Sequence, residues 1–295
     1  MSFGNKKSGI LNIYKPKNMT SFDVVRDLRK ILGEKKVGHC GTLDPQACGV
    51  LPVCFGRSTK IIDYIMEGTK EYVATLKLGE VTDTYDVEGK VIKTFEVKVT
   101  EDEVKAVINS FKGDIKQVPP MYSALKVNGK KLYELARQGI EIERAARDVK
   151  IHDITIENID IPYVKFKVRC SKGTYIRSLC YDIGEKLQCG AVMTDLERTS
   201  TGRFTKENSI NIKDLHKDNV EQYILSVESA FLDYPKLIVN NKFEKLLLNG
   251  VAVKDRSFID NIEEFKIYRI YNEDNDLIAI GRKTEIGFKL IKILV

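Results

Sequence analysis

The 295-residue sequence contains no tryptophan and few histidines, and its cysteines are not spaced for metal binding. The histidines lie at positions 39, 152 and 216, which disfavours a His-rich metal site. No two of the six cysteines form the C-x-x-C pair that is typical of zinc ribbons and thioredoxin-like redox sites. The missing tryptophan excludes no class of protein, but the other two features lead us to expect neither a metal site nor a redox-active dithiol.

A long apolar run is also missing. The longest one, residues 50–55, is much shorter than the roughly 20 residues that a membrane-spanning helix needs. We therefore expect no membrane association. Residues 1–7 carry charge without an apolar segment behind it, so we expect no signal peptide and a cytoplasmic location.

The charge balance is mildly basic. Lys and Arg number 48 against 42 Asp and Glu, which gives a net charge of +6. At 43% apolar and 31% charged residues, the composition is that of a folded globular chain rather than a disordered one. The small positive charge makes nucleic acid a modest favourite among partners, and the length suggests two domains at roughly 150 residues each.

Local patterns predict a mixture of helices and strands. Residues 163–170 alternate apolar and polar side chains, as a half-buried strand does. Thr20 is a candidate N-cap for a helix that buries Phe22, Val25 and Leu28, and Thr174 a candidate N-cap for another. Helices and strands do not alternate in a regular βαβ order, so we predict an α+β fold with a mixed, mainly antiparallel sheet flanked by helices and loops.

The pattern of predicted helices and strands changes near Pro235. A short helix and several strands separated by polar turns follow it. We therefore predict a large domain at residues 1–232 and a small, mostly β domain at residues 233–295.

Two turn-rich segments carry candidate functional residues. Residues 37–52 fit no helix or strand period, and such segments are often functional. In this segment Asp44 is flanked by glycines and followed by Pro45. It could serve as a nucleophile or a general acid or base, or it could only accept backbone N–H groups in an Asx turn. Arg177 follows a Lys-Gly turn and could pair with a carboxylate or lie in solvent.

Aromatic and basic residues lie close together in two further places. Residues 70–72 and residues 121–131 each combine one tyrosine with lysine. A tyrosine can stack on an exposed base and nearby lysines can contact phosphates. Tyr72 could equally be a core aromatic residue of its strand.

Taken together, these segments resemble the TruB type of pseudouridine synthase. Residues 38–45 match its G-H-x-G-x-L-D-P signature. Residues 15–16 before it, and Tyr72, residues 120–126, 132–139 and 170–177 after it, fall in the family's order and approximate spacing. The resemblance covers residues 9–202. The last sixty or so residues resemble the small PUA-type RNA-binding domain of the family.

The resemblance implies an activity and a partner. The family isomerises uridine 55 in the T-arm of tRNA to pseudouridine, by detaching the base at N1, turning it and rejoining it through C5. It implies tRNA as partner, a flipped-out base, no metal or other cofactor, and a monomer. The catalytic carboxylate matches Asp44.

The resemblance also assigns further residues. Tyr72 is expected to stack on the target base, and Arg177 to pair with Asp44 and keep it ionised. The other implied substrate-binding residues are Leu196, His39, Tyr175 and Lys15. Leu196 is expected to pack on the pocket and His39 to help hold the opened T-loop, whereas Lys15 could be catalytic or structural.

Two departures and two other functions stay open. Cys40 and Cys48 stand where many members have threonine, and both substitutions are small. An RNA-binding or RNA-folding protein without catalysis is one alternative. A glycoside- or nucleoside-cleaving enzyme is another, because carboxylates also attack glycosidic bonds. Only one convincing acid is apparent near the predicted site, which counts against the second.

The basic residues predict a salt-dependent interaction. Lys and Arg side chains that contact phosphates displace counterions, so the affinity for tRNA should fall steeply as salt rises. Filter binding between about 50 and 200 mM salt measures this. An affinity that stays constant over that range contradicts an interface led by phosphate contacts.

Overall fold

A computed structural model describes residues 8–127 and 129–294. Within them the chain forms helices and strands in mixed order. The helices are α1 Ser21–Leu32, α2 Ile62–Glu67, α3 Glu101–Asn109, α4 Leu132–Ala136, α5 Ile176–Lys186, α6 Asn241–Leu248 and α7 Arg256–Ile259. The strands are β1 Gly9–Lys15, β2 Val37–His39, β3 Cys48–Phe55, β4 Lys70–Leu78, β5 Glu80–Thr82, β6 Val91–Thr94, β7 Gly113–Gln117, β8 Lys126–Val127, β9 Lys130–Lys131, β10 Arg147–Asp160, β11 Tyr163–Cys170, β12 Ala191–Thr201, β13 Phe204–Thr205, β14 Ile210–Asn211, β15 Lys236–Ile238, β16 Ile267–Tyr271, β17 Leu277–Thr284 and β18 Gly287–Ile293.

A ten-stranded sheet organises most of the chain. Its order is β14-β1-β3-β12-β4-β11-β10-β7, with β2 added on β3 and β13 on β12. The β1–β14 and β3–β12 pairs are parallel and the remaining pairs are antiparallel. The α+β fold with a mixed, mainly antiparallel sheet is therefore confirmed. The large core of this part includes residues of α1, α3 and α5 together with one face of the sheet.

A second sheet lies at the C-terminal end. It contains β15, β16, β17 and β18 in that order and has its own core with α6 and α7. This is the small, mostly β part that the sequence pattern predicts. Its first strand begins at Lys236, and the domain boundary between residues 232 and 233 stays a prediction.

Strand β11 shows how the alternating pattern sets the face of a strand. Val164, Phe166, Val168 and Cys170 are buried, and the residues between them are exposed. The predicted strand is therefore confirmed. Its side chains alternate because only one of its faces meets the core.

Strand β3 shows where pattern reading is wrong. Residues 37–52 were expected to be irregular, yet β2 and the first half of β3 lie within them. Seven of the eight β3 residues are buried, since the strand lies between β1 and β12 in the middle of the sheet. A strand that is buried on both faces reads as a continuous apolar run and shows no period of two. Within residues 37–52, only residues 40–47 lie outside a strand.

Helix α1 begins at a complete capping box. The Thr20 side chain accepts from the Asp23 backbone N–H, and the Asp23 side chain accepts from the Thr20 N–H. Gly33 ends the helix in the left-handed conformation, with φ of 63°. The prediction that Phe22 is buried is wrong: it is 58% exposed. The buried stripe instead runs through Ser21, Val24, Val25 and Leu28.

Helix α5 begins later than the sequence predicts. Tyr175, not Thr174, occupies the N-cap position, and no side chain caps the helix there. The Thr174 hydroxyl donates to the Ser171 carbonyl instead, at 3.0 Å, and so closes the preceding turn. Arg177 is therefore the second residue of α5.

Gly49 allows two strands to approach closely. It has a φ of +116°, and a Cβ at this position would lie 2.2 Å from the Arg198 carbonyl oxygen of β12. Gly33 also has a positive φ, but no atom lies within 4 Å of its added Cβ. The two glycines therefore separate the cost of backbone conformation from the cost of the close approach.

We predict unequal losses of stability for Gly33→Ala and Gly49→Ala. The first costs about 1–2 kcal/mol for left-handed backbone. The second adds about 1–3 kcal/mol, because β3 and β12 must move apart. Urea unfolding of both variants measures the difference, and equal unfolding midpoints would contradict the close approach.

Candidate active site

The loop that carries Asp44, residues 40–47, is held from several sides. Ser21, at the start of α1, accepts from the Leu43 N–H at 2.9 Å and donates to the Leu43 carbonyl at 3.1 Å. The Cys40 N–H donates to the Pro52 carbonyl of β3 at 2.8 Å. The Ala47 N–H donates to the Asp44 carbonyl at 3.1 Å and closes a turn. These bonds fix the backbone on both sides of residue 44.

Lys15 supports the same loop from below. Its side chain is fully buried, and its ammonium donates to the carbonyls of Met19 at 2.6 Å, Pro16 at 3.0 Å and Pro45 at 3.3 Å. Burial lowers the pKa of Lys15 to about 8. An ammonium has three N–H donors, and here all three are used by backbone carbonyls. This geometry favours a structural role for Lys15 over a catalytic one.

Arg177 connects the loop to helix α5. Its Nε lies 3.1 Å from Oδ2 of Asp44, and only 7% of its side chain is exposed. Its Nη2 donates to the Tyr122 carbonyl at 2.8 Å and its Nη1 to the Thr84 carbonyl at 3.3 Å. The ion pair implied by the resemblance is thus present, and backbone oxygens from two other segments orient the guanidinium.

Asp86 is a second acid at this site, which sequence reasoning missed. Its Oδ2 lies 3.3 Å from Arg177 Nη1, and only 14% of its side chain is exposed. The Thr84 hydroxyl donates to its Oδ1 at 2.6 Å. The expectation of a single acid at the site is therefore wrong. The polar segment 82–86 was the available signal, but it also holds Asp83 and did not indicate which carboxylate faces Arg177.

The environment of Asp44 raises the pKa of its carboxyl. Burial is the largest cause, the Arg177 charge opposes it, and the charges of Asp86 and Glu88 add to the rise. The side chain keeps 40% of its surface accessible, so solvent screens part of each effect. The resemblance implies that pairing with Arg177 keeps Asp44 ionised by lowering its pKa. Arg177 does lower it, but desolvation is stronger and the net direction is upward.

Two tyrosines lie close to this carboxylate. Tyr72, on β4, is half-buried, and burial is the main cause that raises the pKa of its phenol, with a smaller contribution from the Asp44 charge. Tyr175, immediately before α5, is also half-buried, and its pKa is raised mainly by burial and slightly by Asp44. The Gln117 side chain accepts from the Tyr175 N–H at 2.8 Å and donates to its carbonyl at 3.0 Å.

Leu196 and His39 lie at the edges of the arrangement. Leu196 is buried on β12 within the main core, 7% exposed, opposite Ala74 of β4. His39 ends β2 just before the Asp44 loop, and burial lowers its pKa. The structure therefore brings Asp44, Arg177 and the two tyrosines together, and places Leu196 and His39 in the strands that flank them.

Two kinds of feature are not found in the described residues. Across residues 8–127 and 129–294, no three His, Cys, Asp or Glu side chains are grouped so that they could hold a metal ion. In the same part of the chain, no helix has the length and apolar character needed to cross a membrane. The expectation of no cofactor stays a prediction.

Two family models match the chain in succession. "TruB family pseudouridylate synthase (N terminal domain)" matches residues 29–176, and "tRNA pseudouridylate synthase B C-terminal domain" matches residues 177–232. The protein is thus a pseudouridine synthase, an isomerase. The curated tRNA pseudouridine synthase B of Clostridium novyi is 58% identical over 98% of this chain and 100% of its own length. That of Clostridium acetobutylicum is 57% identical over 97% and 99%. This chain belongs to the TruB family.

Solved structures show the same fold. A chain in the crystal structure of a Cbf5-Nop10-Gar1 complex is 29% identical with a TM-score of 0.75, and the match covers 97% of this chain and 85% of that one. A chain in the structure of an H/ACA RNP bound to a substrate RNA containing 2'-deoxyuridine is 26% identical with a TM-score of 0.72, over 97% and 85%. The likeness covers both sheets of this chain.

The charge of Asp86, which shares Arg177 with Asp44, predicts a shift in the pH dependence of the reaction rate. Asp86→Asn removes a negative charge that raises the pKa of Asp44, so that pKa should fall. A reaction that needs ionised Asp44 is lost as pH falls through its pKa, and the acid limb of the pH–rate profile should therefore move to lower pH. Single-turnover rates over a pH series measure the limb, whatever the overall height of the profile.

Two other variants grade this shift. Glu88→Gln should move the limb in the same direction but by less, because Glu88 raises the pKa of Asp44 less than Asp86 does. Asp153 lies on β10 and forms an ion pair with Lys112. Asp153→Asn should leave the acid limb in place. An acid limb that keeps its position in Asp86→Asn, or that moves to higher pH, would show that Asp86 does not act on Asp44.

Proposed function

We propose that this protein isomerises uridine 55 in the T-loop of tRNA to pseudouridine, with the Asp44 carboxylate acting on a flipped-out base. The curated relatives carry the name tRNA pseudouridine synthase B, which supports the substrate. The observation that carries the catalytic assignment is the buried Arg177 guanidinium, 3.1 Å from a carboxylate that is itself 40% accessible. A charged group is thereby fixed in position and still open to a ligand.

The reaction balances without an added reactant. The N1–C1′ bond of the nucleotide breaks, a C5–C1′ bond forms, and the proton lost from C5 is matched by one gained at N1. Asp44 is the group that meets the reacting nucleotide. The raised pKa of Asp44 makes its carboxylate a better proton acceptor than a solvated one, and the Arg177 charge keeps a pairing partner beside the ionised form.

Tyr72 is proposed to hold the flipped base. Extruding a base costs a few kcal/mol, and stacking on an aromatic ring returns about 1–3 kcal/mol. Tyr72 is half-buried, opposite Arg198 in the β4–β12 pairing, so its ring position is set by the sheet and little order is lost on binding. Leu196, Tyr175 and His39 are proposed to surround the base and the opened loop.

A basic segment next to the site is proposed to contact phosphates. Lys131 and Arg137 lie over the Tyr133 ring, at 5.3 and 5.5 Å from its centroid, and Lys130 is exposed. These residues follow Tyr122 in the chain, and the Tyr122 carbonyl accepts a hydrogen bond from Arg177 of the site. Positive charges in this segment suit the phosphate backbone of an RNA whose base enters the pocket. The proposal retains tRNA as the partner, a monomeric state, no cofactor and a cytoplasmic location.

Incubation with an unmodified tRNA transcript tests the function directly. Mapping pseudouridine by position should find it at position 55. Modification only at other positions would overturn the T-loop specificity and keep the reaction class. Release of free uracil would instead indicate cleavage of the glycosidic bond, for which the second carboxylate, Asp86, makes a control assay worthwhile.

We predict that Asp44→Asn abolishes isomerisation while tRNA binding remains. The amide keeps the size of the carboxyl and loses its charge and basicity, so the single-turnover rate should fall by about 10²-fold or more, with Kd within threefold of wild type. The matched control Asp153→Asn removes a surface carboxylate and should keep the wild-type rate.

The alternative of an RNA-folding protein gives a different outcome. If Asp44→Asn keeps a rate within about threefold of wild type, the catalytic assignment is wrong. If the inactive variant restores growth to a deletion strain under conditions that require the gene, RNA folding is the function that matters in the cell.

A further inference from the structure

Arg198 is the largest fully buried side chain in the described part of the protein, with 1% of its surface exposed. It lies on β12, between β3 and β4, in the middle of the ten-stranded sheet. Burying a guanidinium is costly unless its donors are satisfied. A charge kept in the centre of a sheet therefore needs hydrogen-bond acceptors around it.

The contacts of Arg198 are to backbone oxygens of β3 and of the Asp44 loop. Its Nε donates to the Val50 carbonyl at 2.7 Å. Its Nη1 and Nη2 reach the carbonyls of Thr42 at 3.4 Å and Gly41 at 3.5 Å. Thr42 and Gly41 lie two and three residues before Asp44. The guanidinium thus ties the loop to the strand that follows it.

The same guanidinium acts on Tyr72. Arg198 and Tyr72 are opposite each other in the pairing of β12 and β4, a position at which side chains of adjacent strands meet. Burial raises the pKa of the Tyr72 phenol, and the Arg198 charge is the largest opposing influence. A single buried side chain therefore contacts the loop that carries the carboxylate and the tyrosine expected to stack on the base.

We propose that Arg198 is a positioning residue, which fixes the Asp44 loop relative to the Tyr72 ring. The inference rests on the proposed function, because it assumes that both groups act on one nucleotide. Arg198 does not meet the substrate itself. It sets the spacing between the reacting carboxylate and the base, and a small error in such spacing costs a large factor in rate.

The shape of arginine explains why this position is not a lysine. A guanidinium presents five donors in a planar fork, so it can hold carbonyls that lie in different directions. A lysine ammonium at the end of a flexible chain would keep the charge and reach fewer of them. The close approach of Gly49 to the Arg198 backbone keeps β12 in register with β3 and so keeps the fork below the loop.

Arg198→Lys tests the proposal, with Arg269→Lys as a matched control. Arg269 is also largely buried, at 14% exposure, and donates to the Tyr234 carbonyl, but it lies on β16 in the second sheet. Both variants are assayed for single-turnover rate at saturating tRNA transcript, for Kd, for melting temperature, and for hydrogen exchange by mass spectrometry without RNA. Rates are measured well below the melting temperature of each variant.

We expect Arg198→Lys to lower the saturating rate at least tenfold with Kd within threefold of wild type, and to speed exchange in residues 40–47. Arg269→Lys should keep the wild-type saturating rate and the wild-type exchange of that loop. A rate for Arg198→Lys within threefold of wild type overturns the proposal. So does faster exchange throughout the sheet with equal losses in rate and affinity, because that indicates a structural role alone.

Failure of the proposed function has a separate signature. If wild-type protein forms no pseudouridine in the transcript, the proposed function fails, whatever the variants do. If wild type is active and only the Arg198→Lys result disagrees, the function stands and the positioning role falls.

Discussion

The geometry of the site depends on one buried guanidinium shared by two carboxylates. Arg177 lies between Asp44 and Asp86 at 3.1 and 3.3 Å. The three groups come from helix α5, the 40–47 loop and the segment after β5, so their charges can be buried only if these three parts meet correctly. Removing the arginine would leave two carboxylates facing each other in a partly desolvated place, which is far more costly than losing an exposed ion pair.

The protein accepts other buried charges around the same loop. Lys15 donates to the Pro45 carbonyl of the loop and to two carbonyls of the segment after β1. Arg198 donates to two carbonyls at the start of the loop and to one in β3. Each cation satisfies backbone oxygens that an irregular segment inside a sheet would otherwise leave unpaired. The loop is therefore held rigidly by polar contacts and by apolar packing together, since Leu43 and Ala47 are buried in the main core. Rigidity of this kind suits a carboxylate that must stay accessible to a ligand and yet keep its orientation.

Local sequence signals predicted the regular elements whose environment is simple. The N-cap of α1 at Thr20, the alternating strand β11 and the short helix α6 agree with the structure. The signals were wrong where tertiary burial overrides the local pattern. Strand β3 is covered on both faces and shows no alternation, and Phe22 lies outside the buried stripe of α1 although its spacing looked suitable. Thr174 closes a turn where a cap was expected, because the chain reaches α5 one residue later.

The sequence by itself determined the α+β class, the identity of Asp44 and Arg177 as a candidate pair, and the family resemblance, since these depend on residue types and on their order along the chain. Only the tertiary structure revealed Asp86, the upward direction of the pKa of Asp44, and the contacts of Arg198. Each of these depends on distances between segments far apart in sequence. Desolvation and hydrogen-bond geometry are set by how those segments pack, and no local pattern encodes them.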